Sequence, residues 1–299
     1  MTTRQNQPRL LMCPPDHFEV AYAINPWMKP EDWHHDERKL FEQSRREWNG
    51  LRQTLIDLGV AIELVPAEAG VPDLVFTANA ALVLDRKVLL ARFRYPQRRE
   101  EEVYYETSFR ALQARGLIDS IHKLPEGLAH EGAGDCVFDR YRNLFWMGYG
   151  PRSDIASRDM VEKIFGVEAV PLELVDPRFY HMDTALSALP HGEVMYVPDA
   201  FSDDGRAAIR DRVAQAQRIE ISMDDACQLA ANTVCIGDHL VNPGCGPKLR
   251  AELEGRGYKV VTVPLGSFLR SGGAAFCLTL RLDRQSGRVP QAQLTAVRR

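Results

Sequence analysis

A cysteine near the end of the sequence lies in a setting suited to a nucleophile. Cys277 follows a turn of small residues in SFLRSGGAAFCLTLRL and stands at the head of an apolar run that predicts a strand. A Gly-Gly turn lets the backbone approach a ligand closely, and a thiol just beyond it could attack a bound electrophile. The alternative is a buried, unreactive cysteine at the start of a core strand.

A base for such a thiol is present in PRFYHMDTALSALP. His181 and Asp183 are two residues apart, so on a strand both side chains would point to the same face. Histidine titrates near neutral pH and a carboxylate attracts cations, which together suit acid–base chemistry on a positively charged substrate. The alternative is a core histidine followed by a turn aspartate.

Three further segments carry polar residues where a site could form. Glu131 and Asp135 lie in the glycine-rich LAHEGAGDCVFD, and Asn79 interrupts the apolar DLVFTANAALVLD, although asparagine is depleted inside strands. Arg92 in LLARFRYPQRREEE and Arg152 in GYGPRSD stand where strands are expected to end, and an arginine fork can hold a carboxylate. Solvated turn acids and surface arginines are the alternatives.

Known phosphate-loop and metal motifs do not occur. No GK[ST] follows the GAG run, no GxGxxG precedes a predicted helix, and HEGAG does not match HExxH. The six cysteines form no CxxC pair and lack zinc-finger spacing. We therefore expect neither a metal nor a cofactor.

Composition excludes several classes of protein. The 299 residues include 37 Lys+Arg and 41 Asp+Glu, for a formal net charge of -4, so no basic field for nucleic acid is expected. No signal peptide or run of about 18 apolar residues occurs, which argues against a membrane partner. Unpaired cysteines suggest a reducing compartment. We expect a cytoplasmic protein.

The chemistry-bearing segments alternate with helical patterns along the chain. Apolar residues at helical spacing predict five helices, each followed by two or three strand-like runs. The predicted helices span 36–58, 98–115, 153–165, 203–216 and 246–257. Five small sheets arranged radially, each with a helix outside, fit this better than the alternative, a doubly wound α/β sheet. We expect one domain over 1–285 and a polar tail over 286–299.

The ordered motifs FTAN, EGAGD, GYGPRSD, HMD and GGAAFC resemble the guanidino-group-modifying enzyme superfamily. That superfamily includes arginine deiminases, dimethylarginine dimethylaminohydrolases, amidinotransferases and arginine dihydrolases. The resemblance runs from about Leu11 to Leu282. The opening LMCPPDHFEVAYAINPWM and FTANAAL are most similar to the arginine dihydrolase branch, whereas ARFRYPQRREEE is similar to dimethylargininases. The resemblance implies a five-bladed α/β propeller, known as the pentein fold.

The resemblance also implies a role for each candidate residue. Cys277 attacks the guanidinium carbon and forms a covalent thiouronium intermediate, while His181 is the acid and base and Glu131 orients it. Asp183 and Asn79 hold the guanidinium. At the amino-acid end of the substrate, the implied contacts are Arg92, Arg152 and Asn25.

Asn79 departs from the deiminase pattern, in which an aspartate occupies this position. A neutral amide there leaves room and donors for a ureido group, which favours hydrolysis of arginine to ornithine, carbon dioxide and two ammonia. The first alternative is hydrolysis of dimethylarginine to citrulline and a methylamine. An amidinotransferase is another, and so is a non-enzymatic propeller that only binds, as in a ribosome-associated initiation factor. Relatives also make a homo-oligomer an expectation.

Overall fold

The computed structural model of the protein describes residues 7–287 and contains five separate three-stranded sheets. Within these residues the strands are β1 (Arg9–Met12), β2 (Ala61–Leu64), β3 (Ala81–Leu84), β4 (Lys87–Leu90), β5 (Ser120–His122), β6 (Cys136–Asp139), β7 (Leu144–Tyr149), β8 (Glu168–Glu173), β9 (Leu186–Ala188), β10 (Val194–Tyr196), β11 (Arg218–Glu220), β12 (Val234–Ile236), β13 (His239–Asn242), β14 (Lys259–Thr262) and β15 (Leu280–Arg281). In four sheets, three strands consecutive in sequence pair together, the first antiparallel to the second and the second parallel to the third.

A helix precedes the third strand of each sheet, because a parallel neighbour can be reached only by a crossover. The α-helices of the described residues are α1 (Pro30–His35), α2 (Glu37–Asp57), α3 (Pro96–Arg99), α4 (Glu101–Ala114), α5 (Gly132–Asp135), α6 (Arg158–Phe165), α7 (Met182–Ala185), α8 (Asp203–Arg212), α9 (Met223–Ala226), α10 (Pro247–Gly255) and α11 (Gly266–Leu269). Short 3₁₀ turns occur at Pro72–Val75, Thr77–Ala80, Ile155–Ser157, Pro198–Ala200 and Gln215–Gln217. The five predicted helices correspond to α2, α4, α6, α8 and α10.

The fifth sheet joins the two ends of the described chain. Its centre is β1, which pairs antiparallel with β15 and parallel with β2, so that Leu11 lies opposite Leu280. With this pairing every sheet has the same strand pattern. The five-bladed α/β propeller expected from the sequence is therefore confirmed, and the doubly wound alternative is wrong.

Each blade begins with a short turn that ends just before its first strand. Two or three residues ahead of that strand, the five blades carry in turn Asn79, Gly134, Asp183, Asn232 and Cys277. The turns are Thr77–Ala80, α5, α7 and the hydrogen-bonded segments before β12 and β15. Each of these five residues is buried or lies against a buried neighbour, so the repeated turn brings one residue from each blade to a common centre.

The core forms where neighbouring blades pack together. Apolar side chains of β6 to β13 make one continuous buried group, and those of α2, β1, β13 and the segment 274–278 make another. Within residues 7–287 none of the helices combines the length and apolar character that a membrane crossing requires. The domain boundary at residue 285 stays a prediction, and the predicted tail lies outside the described residues from 288 onward.

Candidate active site

Cys277 lies inside a hydrogen-bonded turn, three residues before β15 begins. The sequence placed it at the head of the strand, and the difference arises because Leu278 N bonds to Ala274 O and keeps this segment coiled. The Cys277 thiol is 2% exposed and donates to Asp183 Oδ2 at 3.0 Å. Burial and the adjacent Asp183 carboxyl both raise the pKa of the thiol well above its usual value.

His181 and Asp183 meet different partners, so the expectation that they share one face of a strand is wrong. His181 is the residue before α7 and Asp183 lies in its first turn, where successive side chains diverge instead of alternating. His181 Nε2 lies 2.7 Å from Glu131 Oε2, while Asp183 turns to Cys277. The short helix thus supplies the site with a base and a carboxylate at separate points.

Glu131 is the centre of a fully buried charged chain. Its Oε2 also accepts from Arg152 Nη1 at 3.0 Å, and its Oε1 accepts from the Arg94 backbone N at 3.2 Å. Burial alone would raise the pKa of Glu131, but Arg152 and His181 together hold it below its usual range. Glu131 is therefore an anion that fixes the orientation of the His181 ring.

Burial is the main cause of the pKa shifts of His181 and Asp183. Burial lowers the pKa of His181 to about 4, against the opposing effect of Glu131. Burial raises the pKa of Asp183 to about 7, although its bonds with Cys277 and Asn232 work the other way. Asp183 Oδ1 accepts no hydrogen bond from any residue within 7–287. An incoming cation with several N–H donors would satisfy that oxygen and favour the ionised carboxylate.

The glycines of EGAGD allow two close approaches. Gly132 has φ +64, and a Cβ there would lie 2.8 Å from the carbonyl oxygens of Ala78 and Ala81. A Cβ at Gly134 would overlap Asn79 Nδ2 and lie 3.6 Å from His181 Nδ1. The glycines thus let α5 pack directly on the neighbouring blade. Their place in a site was predicted from the sequence.

Asp135 supports the cluster without touching the thiol. Its Oδ2 accepts from Ser153 Oγ at 2.6 Å, and its Oδ1 accepts from the Met182 backbone N at 3.2 Å. Ser153 Oγ in turn accepts from the Glu131 backbone N at 2.9 Å. Asp135 therefore connects the turn that carries Glu131 to the helix that follows His181.

Asn79 lies at the edge of this cluster and is held by an arginine that was not predicted. Arg98 Nη1 donates to Asn79 Oδ1 at 2.9 Å, and the same guanidinium makes two bonds of 2.7 Å to Glu101. Arg98 also donates to the main-chain oxygen of Asp73, and the Oδ2 of that aspartate accepts from Tyr22 at 2.8 Å. Arg98 is 3% exposed, and its charge is balanced by Glu101 and Asp73.

Arg92 does not reach the cluster. Ala91 and Phe93 on either side of it are buried, so the alternation of the chain turns Arg92 to the opposite face, where Nη1 donates to Pro125 O at 3.0 Å. Arg152, in contrast, is buried between the rings of Tyr95 and Tyr180, with its guanidinium carbon 4.8 and 4.6 Å from their centroids. One of its nitrogens is bonded to Glu131, and Nη2 donates to Ile24 O.

Asn25 lies in the loop that covers the cluster. Its Nδ2 donates to Ser271 O at 3.1 Å, and its Oδ1 accepts from the Trp27 backbone N. Trp27 Nε1 donates to Arg178 O at 2.7 Å, which holds the same loop to the segment before His181. Asn25 therefore positions the loop next to the turn that carries Cys277.

Comparison with known proteins gives the same assignment as the motifs. The family description "N,N dimethylarginine dimethylhydrolase, eukaryotic" matches residues 14–284. The chain is 41% identical over 274 residues to the bifunctional arginine dihydrolase/ornithine cyclodeaminase AgrE of Nostoc, covering 92% of this chain and 38% of that protein. It thus spans well under half the length of this relative.

Two further relatives match over most of their lengths. The N(G),N(G)-dimethylarginine dimethylaminohydrolase of Mycobacterium tuberculosis is 34% identical over 279 residues, which is 92% of this chain and 85% of the enzyme. The crystal structure of the N-terminal domain of ArgZ, a cyanobacterial arginine dihydrolase with its substrate bound, superposes with a TM-score of 0.86 and 38% identity. That match covers 93% of this chain and 99% of the domain.

Proposed function

Because the chain belongs to the N,N dimethylarginine dimethylhydrolase family, we propose that it hydrolyses the guanidino group of arginine to give ornithine, carbon dioxide and ammonia. One observation carries the proposal: the buried thiol lies 3.0 Å from a carboxyl oxygen of Asp183, and His181, two residues before that aspartate, forms a buried pair with Glu131. A guanidinium ion is a weak electrophile, so it needs a strong nucleophile, a cation-binding group and an acid for the departing nitrogen. The three sets of residues match these needs.

Asp183 and Asn79 take the guanidinium in this proposal. Asp183 supplies a carboxylate whose Oδ1 accepts no bond from the residues that the structure describes, and Asn79 supplies an amide that Arg98 holds in place. A cation bound at Asp183 would also favour the thiolate of Cys277, since it offsets the carboxylate that now raises the pKa of the thiol. Binding and activation of the nucleophile are thereby joined in one step.

The thiol proton of Cys277 passes to His181, which is neutral before the reaction because burial lowers its pKa to about 4. The Cys277 thiolate attacks the guanidinium carbon, and His181 gives that proton to the nitrogen that leaves as ammonia. The carbon remains bound to sulfur as a thiouronium. Water, activated by the now neutral His181, attacks this carbon, and the C–S bond breaks to leave bound citrulline and the thiol.

Cys277 then attacks the ureido carbon, the second ammonia leaves, and a thiocarbamate remains on sulfur. A second water breaks this C–S bond and releases the carbamate of ornithine, which dissociates to ornithine and carbon dioxide. Over the full reaction one arginine and two waters give one ornithine, one carbon dioxide and two ammonia. Glu131 stabilises the imidazolium form of His181 in the steps in which His181 carries the transferred proton.

The amino-acid end of arginine is assigned to Arg152 and Asn25. Arg152 carries a buried positive charge between two aromatic rings, and Asn25 lies in the covering loop beside it. Arg92 makes no contact with arginine in this proposal, because its side chain points away from the cluster and donates to Pro125 O.

Dimethylarginine is the second candidate substrate, favoured by the family match and by the mycobacterial relative. Incubation of the protein with arginine or with dimethylarginine, followed by amino-acid analysis, separates the two. Ornithine from arginine supports the dihydrolase, and citrulline with dimethylamine from dimethylarginine supports the alternative. A Cys277→Ser variant that keeps full turnover of either substrate would overturn the nucleophile.

A further inference from the structure

The amide of Asn232 makes four hydrogen bonds, and one of them reaches the sulfur of Cys277. Its Oδ1 accepts from the backbone N of Phe276 at 2.9 Å and from that of Cys277 at 3.1 Å. Its Nδ2 donates to Asp183 O at 3.2 Å and to Cys277 Sγ at 3.0 Å. An amide can donate two bonds and accept two, so this side chain is fully used.

These contacts fix which end of the amide faces the thiol. A flipped amide would place its NH₂ group against two backbone N–H donors, so only Oδ1 can occupy that side. The N–H donors must therefore point to Asp183 O and to Sγ. Asn232 is fully buried, so solvent water does not compete for this bond.

We propose that Asn232 is a catalytic residue that donates to Cys277 Sγ and stabilises its thiolate. This inference rests on the proposed function and extends it to the blade of β12–β14, the fifth blade to contribute a residue to the site. Asp183 Oδ2 also contacts the sulfur, at 3.0 Å, and disfavours negative charge there. The amide N–H of Asn232 opposes that effect with a partial positive charge, and it does so before any substrate arrives.

The test measures how the reactivity of Cys277 depends on pH in the absence of substrate. Wild type and variants are labelled with iodoacetamide over a range of pH, and the peptide that contains Cys277 is quantified by mass spectrometry. The midpoint is the pH at which the labelling rate of Cys277 is half of its maximum. A hydrogen bond to a charged group is worth about 1.5–3 kcal/mol, so Asn232→Ala should raise this midpoint by about 1–2 pH units. The midpoint is preferred to the rate, because a thiolate of higher pKa is also a better nucleophile.

Thr233→Ala is the matched control. Thr233 is the next residue, equally buried, and its Oγ1 donates to Ala230 O at 2.7 Å, but its side chain makes no bond to the sulfur. If Asn232 acts only by ordering the turn, Thr233→Ala should raise the midpoint as much as Asn232→Ala. An equal rise in both, or an unchanged midpoint in Asn232→Ala, overturns the proposal.

Asn232→Asp covers the case in which the alanine variant fails to fold. It keeps the acceptor for Phe276 and Cys277 backbone N–H groups but, once ionised, replaces the donor at the sulfur with a negative charge. The midpoint should rise at least as far as in Asn232→Ala, and an unchanged midpoint overturns the proposal. Turnover of arginine and dimethylarginine by wild type is measured separately. If wild type turns over neither substrate but the Asn232 variants raise the midpoint, only the proposed function is overturned. If wild type turns over a substrate but the variants leave the midpoint unchanged, only the role of Asn232 is overturned.

Discussion

Replacing Glu131 with glutamine is expected to destabilise the fold as well as to slow the reaction. The Glu131 carboxylate bonds to Arg152 Nη1 at 3.0 Å and to His181 Nε2 at 2.7 Å. Glutamine has the same shape but no charge, so the Arg152 guanidinium, only 2% exposed, would lose its counter-ion. Breaking a buried ion pair from one side costs about 3–5 kcal/mol.

The same substitution weakens the imidazolium form of His181. Burial already lowers the pKa of His181 to about 4, and Glu131 is the group that opposes this shift. A hydrogen bond to a charged group contributes about 1.5–3 kcal/mol, so kcat should fall about 10- to 150-fold. Urea unfolding followed by circular dichroism measures the first effect, and arginine consumption at saturating substrate measures the second.

A double variant separates the two effects. Glu131→Gln with Arg152→Met removes the stranded charge, so it should recover more than half of the lost stability while its kcat stays no higher than that of Glu131→Gln.

The difference in free energy of unfolding between wild type and Glu131→Gln should also shrink in acid. The folded-state pKa of Glu131 lies below the unfolded one, so its stabilisation is present above the unfolded pKa and is lost as the pH falls. If Glu131→Gln lowers the free energy of unfolding by less than about 1 kcal/mol, as is typical of an exposed pair, then Arg152, Glu131 and His181 do not form the buried charged network described above.

Three other predictions follow from the same contacts. Gly134→Ala should displace Asn79 and cost about 1–3 kcal/mol together with most of the activity, whereas Gly255→Ala, with open space around its Cβ, should not destabilise; thermal melting and turnover check both. Asn79→Asp should stop the reaction at citrulline, and ornithine in the product analysis would contradict this. Since burial raises the pKa of Asp183 to about 7, arginine binding to Cys277→Ser should tighten about tenfold per pH unit up to that pH and then level off. If the affinity for arginine, measured by calorimetry, does not change across that pH, then arginine binding does not require ionisation of Asp183.

The sequence was informative where a residue type or a repeated pattern carried the signal. Helical spacing located all five outer helices, but the third begins at Arg158 and not at 153, because Ser153 is bonded to Asp135 within the site. One-turn helices have too few residues for periodicity, so α7 was read as a strand and His181 was given the wrong geometry.

Residues that act through a neighbour were the ones missed. Asn232 lies in a segment without glycine-rich or motif-like surroundings, whereas Arg98 lies in the arginine-rich ARFRYPQRREEE. Only the contacts of these two residues with Cys277 and Asn79 identify them. Arg92 was chosen in place of Arg98 because several arginines follow one another in ARFRYPQRREEE. Which of them turns inward depends on the exit angle of β4 and on α3, and neither can be inferred from spacing alone.

The repeated turn at the head of each blade has an evolutionary consequence. The backbone hydrogen bonds that hold each blade together lie between its strands. The five residues of the turns before the first strands can therefore be substituted while the architecture is inherited unchanged. New activities can therefore arise combinatorially, by choosing five residues rather than a new topology. The choices are not independent, because any side chain at Gly134 would collide with Asn79. Epistasis between adjacent blades should therefore determine the order in which such substitutions accumulate in a lineage.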